Sequence, residues 1–303
     1  MKEIINVPAS VSARLQNLAR VQKKPFQEIL QYYGIERFLF RLSQTTHGQM
    51  FVLKGGLVFY ALGIALRRPT RDIDFRGFTS NSADHIIKII KDVCSVSNLS
   101  DGIIYKEDTI RFEETMVDAD YQGIRVTFEA LLGTSKIPIR IDIGFSDVIT
   151  PEAQSLQYPV LLNGMEPPVL RSYPPESIVS EKFQAMVQLM DLNSRLKDFY
   201  DIWMLSEINH FTGNLLQSAL IATFNQRETP IPSAIPLALK DDFAQSRQRQ
   251  WETFLARNKL FQKNIENFID VINRLRIFLL PPVQAITENV SFEKNWTAGS
   301  NWH

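Results

Sequence analysis

Two aspartates one residue apart, in the run Arg71-Asp72-Ile73-Asp74-Phe75, are the sharpest chemical feature of the chain. Strand alternation sends both carboxylates to one face and Ile73 and Phe75 to the other. Like charges that close raise each other's pKa unless a cation lies between them, and hard oxygen donors suit Mg²⁺ or Mn²⁺. An exposed edge strand with two solvated acids is the plainer alternative. Upstream, Phe51-Val52-Leu53-Lys54 runs into Gly55-Gly56 and a second apolar stretch, the pattern of a strand, a tight turn and a helix. Glycines there let a phosphate approach the main chain, with helix N–H groups facing it; an ordinary turn uses the same residues. Arg67, Arg68 and Arg71 precede the acids and either pair with them or face a phosphate chain.

Further acids and bases lie downstream. In Ile137 to Phe145 the alternation puts five apolar side chains on one face and Arg140 and Asp142 on the other, so Asp142 is a third candidate carboxylate. Lys182 sits among the helically spaced Ile178, Ala185 and Leu189, either snorkelling or directed at a buried anion. In Asp191 to Leu205, the residues Arg195, Lys197, Asp198 and Asp201 fall within two helical turns; Asp198 and Asp201 share a face with Arg195.

The elements that would position these groups follow from periodicity. Residues 9 to 45 read as helices, with Ser10 a possible cap and with Glu36, Arg37 and Arg41 paired, solvated or reaching a ligand. Residues 82 to 93 read as a covering helix, and 109–112, 124–130 and 137–145 as strands, the last two joined by a turn at Gly133-Thr134-Ser135-Lys136. Pro138 places the start of the last strand, or an open edge, at that point. Six prolines between 151 and 175 read as an extended connection, and helices follow. The longest is expected over about 241–280, interrupted near Asn258 and stopped by Pro281-Pro282; its basic stripe is a solvated face or an RNA contact. The expected division is 1–150 as an α+β domain with a mixed sheet, 151–175 as connection, 176–283 as a helical domain, and 284–303 as a loosely ordered tail.

At 303 residues the chain can bury two cores, and 45% hydrophobic with 22% charged residues excludes a disordered protein. Lys plus Arg equals Asp plus Glu, 33 each, so any nucleic-acid contact must come from a local patch. The lone Cys94 excludes an internal disulfide framework and suits a reducing compartment. The start lacks a signal peptide's apolar core and no apolar run is long enough to span a bilayer, so a cytoplasmic location is expected.

Taken in order, ERFLFRLS, FVLKGG, RPTRDIDF, IRIDIGF, YPPESIVSEKFQAM and SRLKDFYDIW resemble the AbiEii/AbiGii nucleotidyltransferases, toxins of toxin–antitoxin and phage-defence modules that include the MenT toxins. The resemblance covers roughly residues 10 to 280. It implies a polymerase β-like nucleotidyltransferase domain followed by a helical domain. It implies NTP as substrate, Mg²⁺ or Mn²⁺ at Asp72 and Asp74 with Asp142 as the third acidic position, and triphosphate contacts from Lys54, Gly55, Gly56, Arg71, Lys182, Arg195 and Lys197. Asp198 matches the carboxylate of an Arg-x-Lys-Asp motif. The implied acceptor is the 3′ end of tRNA and the implied protein partner a cognate antitoxin. Many relatives carry Ser or Thr directly after the paired glycines, where this chain has Leu57. A small-molecule acceptor, as in aminoglycoside nucleotidyltransferases, and a non-catalytic nucleotide-binding regulator are the competing readings.

Overall fold

The computed structural model describes residues 6–63, 70–97, 100–117, 121–260 and 263–303, in two compact units: Met1–Ser146 with Gln154–Ser172, and Asp147–Ala153 with Tyr173–His303. The apolar run Leu57–Leu66 of the sequence extends partly outside the described residues, as do Arg67 and Arg68.

The first unit contains α1 (Val7–Gln22), α2 (Phe26–Ser43), β1 (Phe51–Lys54), α3 (Gly56–Ala61), β2 (Asp72–Gly77), α4 (Ala83–Cys94), β3 (Ile103–Val117), β4 (Tyr121–Leu132), β5 (Ser135–Gly144), β6 (Gln154–Gln157) and β7 (Val169–Ser172). The strands form one mixed sheet in the order β3-β4-β5-β2-β1-β7-β6, with β2 parallel to β5 and antiparallel to β1. The expected α+β class is observed. Ile73 and Phe75 of β2 and Ile137, Ile139, Ile141 and Ile143 of β5 are buried, while Asp72, Asp74, Arg140 and Asp142 alternate to the other face.

Helix α2 is buried from Ile29 to Leu42, charges included. A helix enclosed on all sides must pair its charges internally. Arg41 forms a two-pronged pair with Asp101 at 2.7 and 3.1 Å, and Arg37 lies 3.0 Å from Glu36. Burial lifts the Glu36 carboxyl to about 7, against the pull of Arg37 and a hydrogen bond from the Leu161 N–H. These three charges are therefore structural rather than solvated. Burial likewise pushes the Cys94 thiol up to about 12, which leaves it protonated. Helix α1 is capped by Asn6, whose side chain accepts from Ala9 N at 3.0 Å, and not by Ser10.

The proline-rich stretch is not simply a connection. It supplies β6 and β7, and β7 pairs parallel to β1. Pro167 and Pro168 stand before β7 and Pro174 and Pro175 after it, where no ladder N–H is required, so the prolines frame the strand without breaking it. Pro175 begins the next helix, a position that has no use for an N–H.

The second unit contains α5 (Pro175–Leu189), α6 (Leu196–Ile208), β8 (Phe211–Thr212), α7 (Gly213–Gln226), α8 (Asp241–Arg257), α9 (Phe268–Thr287) and β9 (Asn295–Trp296). Phe199, Phe243, Trp251 and Phe268 stack in its core. Two expectations fail here. Helix α9 runs through Pro281 and Pro282, and the segment after it is anchored by Phe292, Trp296 and Trp302 rather than loose. Both outcomes share a cause. Pro282 cannot donate to the carbonyl of Phe278, one turn earlier. That carbonyl accepts instead from the indole N–H of Trp302 at 2.9 Å, and the Trp302 ring stacks on Phe278 and packs edge-on against Trp296 and Phe292. Trp296 is itself 1% exposed and donates to Ser206 O. Trp296→Ala is expected to lower unfolding free energy by about 3–5 kcal/mol, whereas Trp302→Phe, which keeps a ring but removes the donor, should cost about 1–3 kcal/mol. Urea melts of the two variants check the order.

Candidate active site

β1 ends at Lys54, and the chain turns at Gly55 with φ 70° and ψ −152°, a backbone region essentially reserved for glycine. The turn has no room for a side chain. A Cβ on Gly55 would fall 2.0 Å from Oδ2 of Asp74, and one on Gly56 would fall 2.2 Å from Oγ1 of Thr70. The paired glycines therefore let the main chain rest directly on the Asp74 carboxylate.

Register does the rest. Lys54 lies opposite Asp74 across the β1/β2 ladder, and Asp74 lies beside Asp142 across β2/β5. Asp72 lies beside Arg140, with 3.6 Å between Arg140 Nη1 and Asp72 Oδ1. The three predicted carboxylates thus share one face of one sheet. Asp142 carries an added constraint: Arg125 of β4 grips both its oxygens, at 2.8 and 2.9 Å. That hydrogen bonding raises the Arg125 pKa. Sequence reading did not single out Arg125. The turn is shorter than expected: Ser135 and Lys136 belong to β5, Gly133 and Thr134 alone separate paired Leu132 and Ser135, and counting back from that two-residue turn sets Arg125 opposite Asp142.

Asp72 and Asp74 suit a hard divalent ion. Both are half-exposed on the same face, and the glycine turn holds the position of Asp74. Among the described residues no group of three or more His, Cys, Asp or Glu side chains is gathered tightly enough to hold a metal by itself. Each Asp142 oxygen retains a second lone pair beyond its bond to Arg125. Leu57 is fully buried, and the hydroxyl against the turn belongs to Thr70, whose backbone N–H donates to the Tyr32 hydroxyl at 2.9 Å. Arg71 is exposed and lines a cavity with Asp72.

In the second unit, Lys182 of α5 lies 2.7 Å from Asp198 Oδ1 and 2.8 Å from Asp201 Oδ2, both on α6, and Arg195 lies 2.8 Å from Asp198 Oδ2. Helix α6 buries Asp198 and Asp201. For Lys182, burial works to lower the pKa, but Asp198 and Asp201 outweigh it and raise it. For Asp198, burial works upward, and Lys182 with Arg195 overrides it and holds the carboxyl below its usual value. These are neither surface salt bridges nor a snorkelling lysine.

A family model described as nucleotidyl transferase AbiEii toxin, type IV TA system, matches residues 37–279. The chain belongs to this family. It is accordingly a nucleotidyltransferase of the toxin class, and the type IV system implies an antitoxin partner and an NTP substrate. No curated protein matches. Among solved structures, a putative nucleotidyltransferase from H. pylori aligns at 17% identity and TM-score 0.44, covering 84% of this chain and 94% of its own. JHP933 from Helicobacter pylori aligns at 17% identity and TM-score 0.44, covering 84% of this chain and 90% of its own. Among the described residues of this AbiEii member, no helix is long and apolar enough to cross a membrane.

Gly55→Ala is expected to lose roughly 1–3 kcal/mol of stability to backbone strain and to weaken Mg²⁺-dependent binding of a fluorescent NTP at least tenfold, because the added methyl group displaces Asp74. Titration and thermal melts read both effects. Lys182→Met leaves Asp201 buried without this cation and Asp198 with Arg195 alone, and should cost about 3–5 kcal/mol at pH 7. The folded Asp198 pKa is depressed, so its contribution is present above the unfolded value of 3.8 and is lost as pH falls below that. The folded Lys182 pKa is raised, so its contribution is full below the unfolded value of 10.5 and is lost only at still higher pH. Denaturation at pH 7 and pH 3 should show the wild-type advantage shrinking at the lower pH.

Proposed function

We propose that this protein transfers a nucleoside monophosphate from an NTP to the 3′-terminal hydroxyl of tRNA, and that this transfer is its toxic and phage-defence activity, restrained by a cognate antitoxin. The observation that carries the reading is the glycine turn resting on Asp74, with Asp72 and Asp142 on the same sheet face. A phosphate chain at the turn meets main chain instead of side chains and lies next to Lys54 and both carboxylates.

In the reaction the acceptor oxygen bonds to the α-phosphorus, the bond from that phosphorus to the bridging oxygen breaks, pyrophosphate leaves, and the hydroxyl proton passes to solvent. Mg²⁺ or Mn²⁺, held by Asp72 and Asp74, would neutralise phosphate charge and polarise the α-phosphate. The chain's own residues orient and balance charge. Lys54 and the Gly55-Gly56 backbone hold the triphosphate. Asp142, gripped by Arg125, accepts a hydrogen bond from the acceptor hydroxyl. In the second unit Asp198 and Asp201 hold the Lys182 ammonium group in place, and Arg195 balances the charge of Asp198. The buried Leu57 is compatible with catalysis, because the turn uses backbone and the neighbouring hydroxyl is Thr70's.

Incubating the protein with Mg²⁺, total tRNA and each α-labelled NTP in turn should place label from a preferred NTP on RNA. Asp72→Ala/Asp74→Ala should reduce labelling at least a thousandfold while leaving the circular dichroism spectrum unchanged. Label appearing equally with the double variant would refute the assignment of these carboxylates. Pyrophosphate release with an aminoglycoside but never with RNA would transfer the reading to a small acceptor.

A further inference from the structure

The first unit has a cavity of about 460 Å³, within the size range of small-molecule sites, between the first turns of α2 and the starts of β2 and β5. Its lining includes Gln27, Gln31, Thr70, Arg71, Asp72 and Arg140. It takes in Asp72 but neither Asp74 nor the glycine turn. Thr70 stands between the two spaces, with its hydroxyl against Gly56. In the sheet, β2 lies between β1 and β5, so the turn at the end of β1 and the β5 wall of the cavity flank the carboxylates on opposite sides.

Phosphoryl-type transfer requires the attacking and departing oxygens roughly in line. With the triphosphate at the glycine turn, pyrophosphate departs on the β1 side, and the attacking hydroxyl must arrive from the β5 side. The cavity opens there. Among the described residues, Arg71 is exposed without a hydrogen-bond or ion-pair partner, and the side chain of Arg140, 48% exposed, has a single ion-pair contact, 3.6 Å to Asp72. Guanidinium groups suit phosphodiesters, and side-chain amides suit the edge of an unstacked base. Gln31 donates its amide N–H to Pro138 O at 2.6 Å and keeps its amide oxygen as an acceptor. The charge continues outward. Register sets Arg140 beside Thr127 and Thr127 beside Arg111, so a second exposed arginine follows two strands on, about 10 Å away at the usual strand spacing.

Building on the nucleotidyl-transfer reading, we propose that this cavity is the acceptor pocket. It takes the terminal nucleotide of a single-stranded polynucleotide with a free 3′ hydroxyl. Arg71 and Arg140 hold its phosphates, and Arg111 holds the next one along the strand.

The test is binding, which needs no turnover. A 5′-fluorescein-labelled oligoribonucleotide with a free 3′ hydroxyl is titrated with the full chain and with Gln27→Trp, which fills the cavity at an exposed position, and Arg111→Ala. A fluorescent NTP with Mg²⁺ is titrated in parallel. The oligonucleotide should bind at least tenfold more weakly to Gln27→Trp, and the salt slope for Arg111→Ala should fall by about 0.7 for the lost phosphate contact. NTP affinity should stay within twofold. Wild type that ignores the oligonucleotide, unchanged oligonucleotide binding by Gln27→Trp, or equal loss of NTP and oligonucleotide would overturn the pocket assignment. A cavity-dependent complex that transfers no label would support the pocket and refute the transfer reading.

Discussion

The contact on which the site depends is the one between the Gly55 main chain and the Asp74 carboxylate. A carboxylate on a sheet face normally has a free hemisphere of solvent and several rotamers. Here the preceding strand turns back against it so closely that a methyl group cannot intervene. That single contact couples three things: the end of β1, the register of β1 on β2, and the direction of an acid that would otherwise be loosely held. It also brings backbone N–H groups and carboxylate oxygens into one small volume, the pairing needed to hold a polyphosphate and its counter-ion together.

The two units treat buried charge differently. In the first, the acids on the open sheet face lie beside arginines and a lysine and retain solvent access. In the second, Lys182 and Arg195 are matched against Asp198 and Asp201 in a nearly dry cluster. Desolvation of such a cluster is costly, and replacement by apolar residues is often neutral or stabilising. On α5 and α6 it fixes the Lys182 ammonium group between Asp198 and Asp201.

Local alternation made much of the first unit legible. Asp72, Asp74 and Asp142 lie on the face that strand periodicity assigns them, and the isoleucines of β5 lie on the other. Pro138 does stand where β5 has no β2 neighbour, since that ladder begins at Arg140. What local pattern could not show was which partners would satisfy the groups it placed. Whether the charges of α2 were paired, solvated or ligand-directed stayed open in the sequence, because the Asp101 that neutralises Arg41 is distant along the chain. The prolines of 151–175 read as a linker because a proline beside a strand and a proline instead of one look the same until the ladder is known. Pro281-Pro282 read as a stop because the replacement donor, Trp302, comes some twenty residues later.

The hairpin between β4 and β5 has a consequence for how this chain can vary. Surface turns usually accept insertions and deletions freely. This one acts as a ruler: a two-residue turn sets every opposite pair back along both strands, Arg125 and Asp142 among them. One residue more or less would move the pairing by one place and turn Arg125 to the buried face. Length at Gly133-Thr134 is thus under the same selection as the acid it positions, and among natural variants this exposed turn should change its letters while keeping its count.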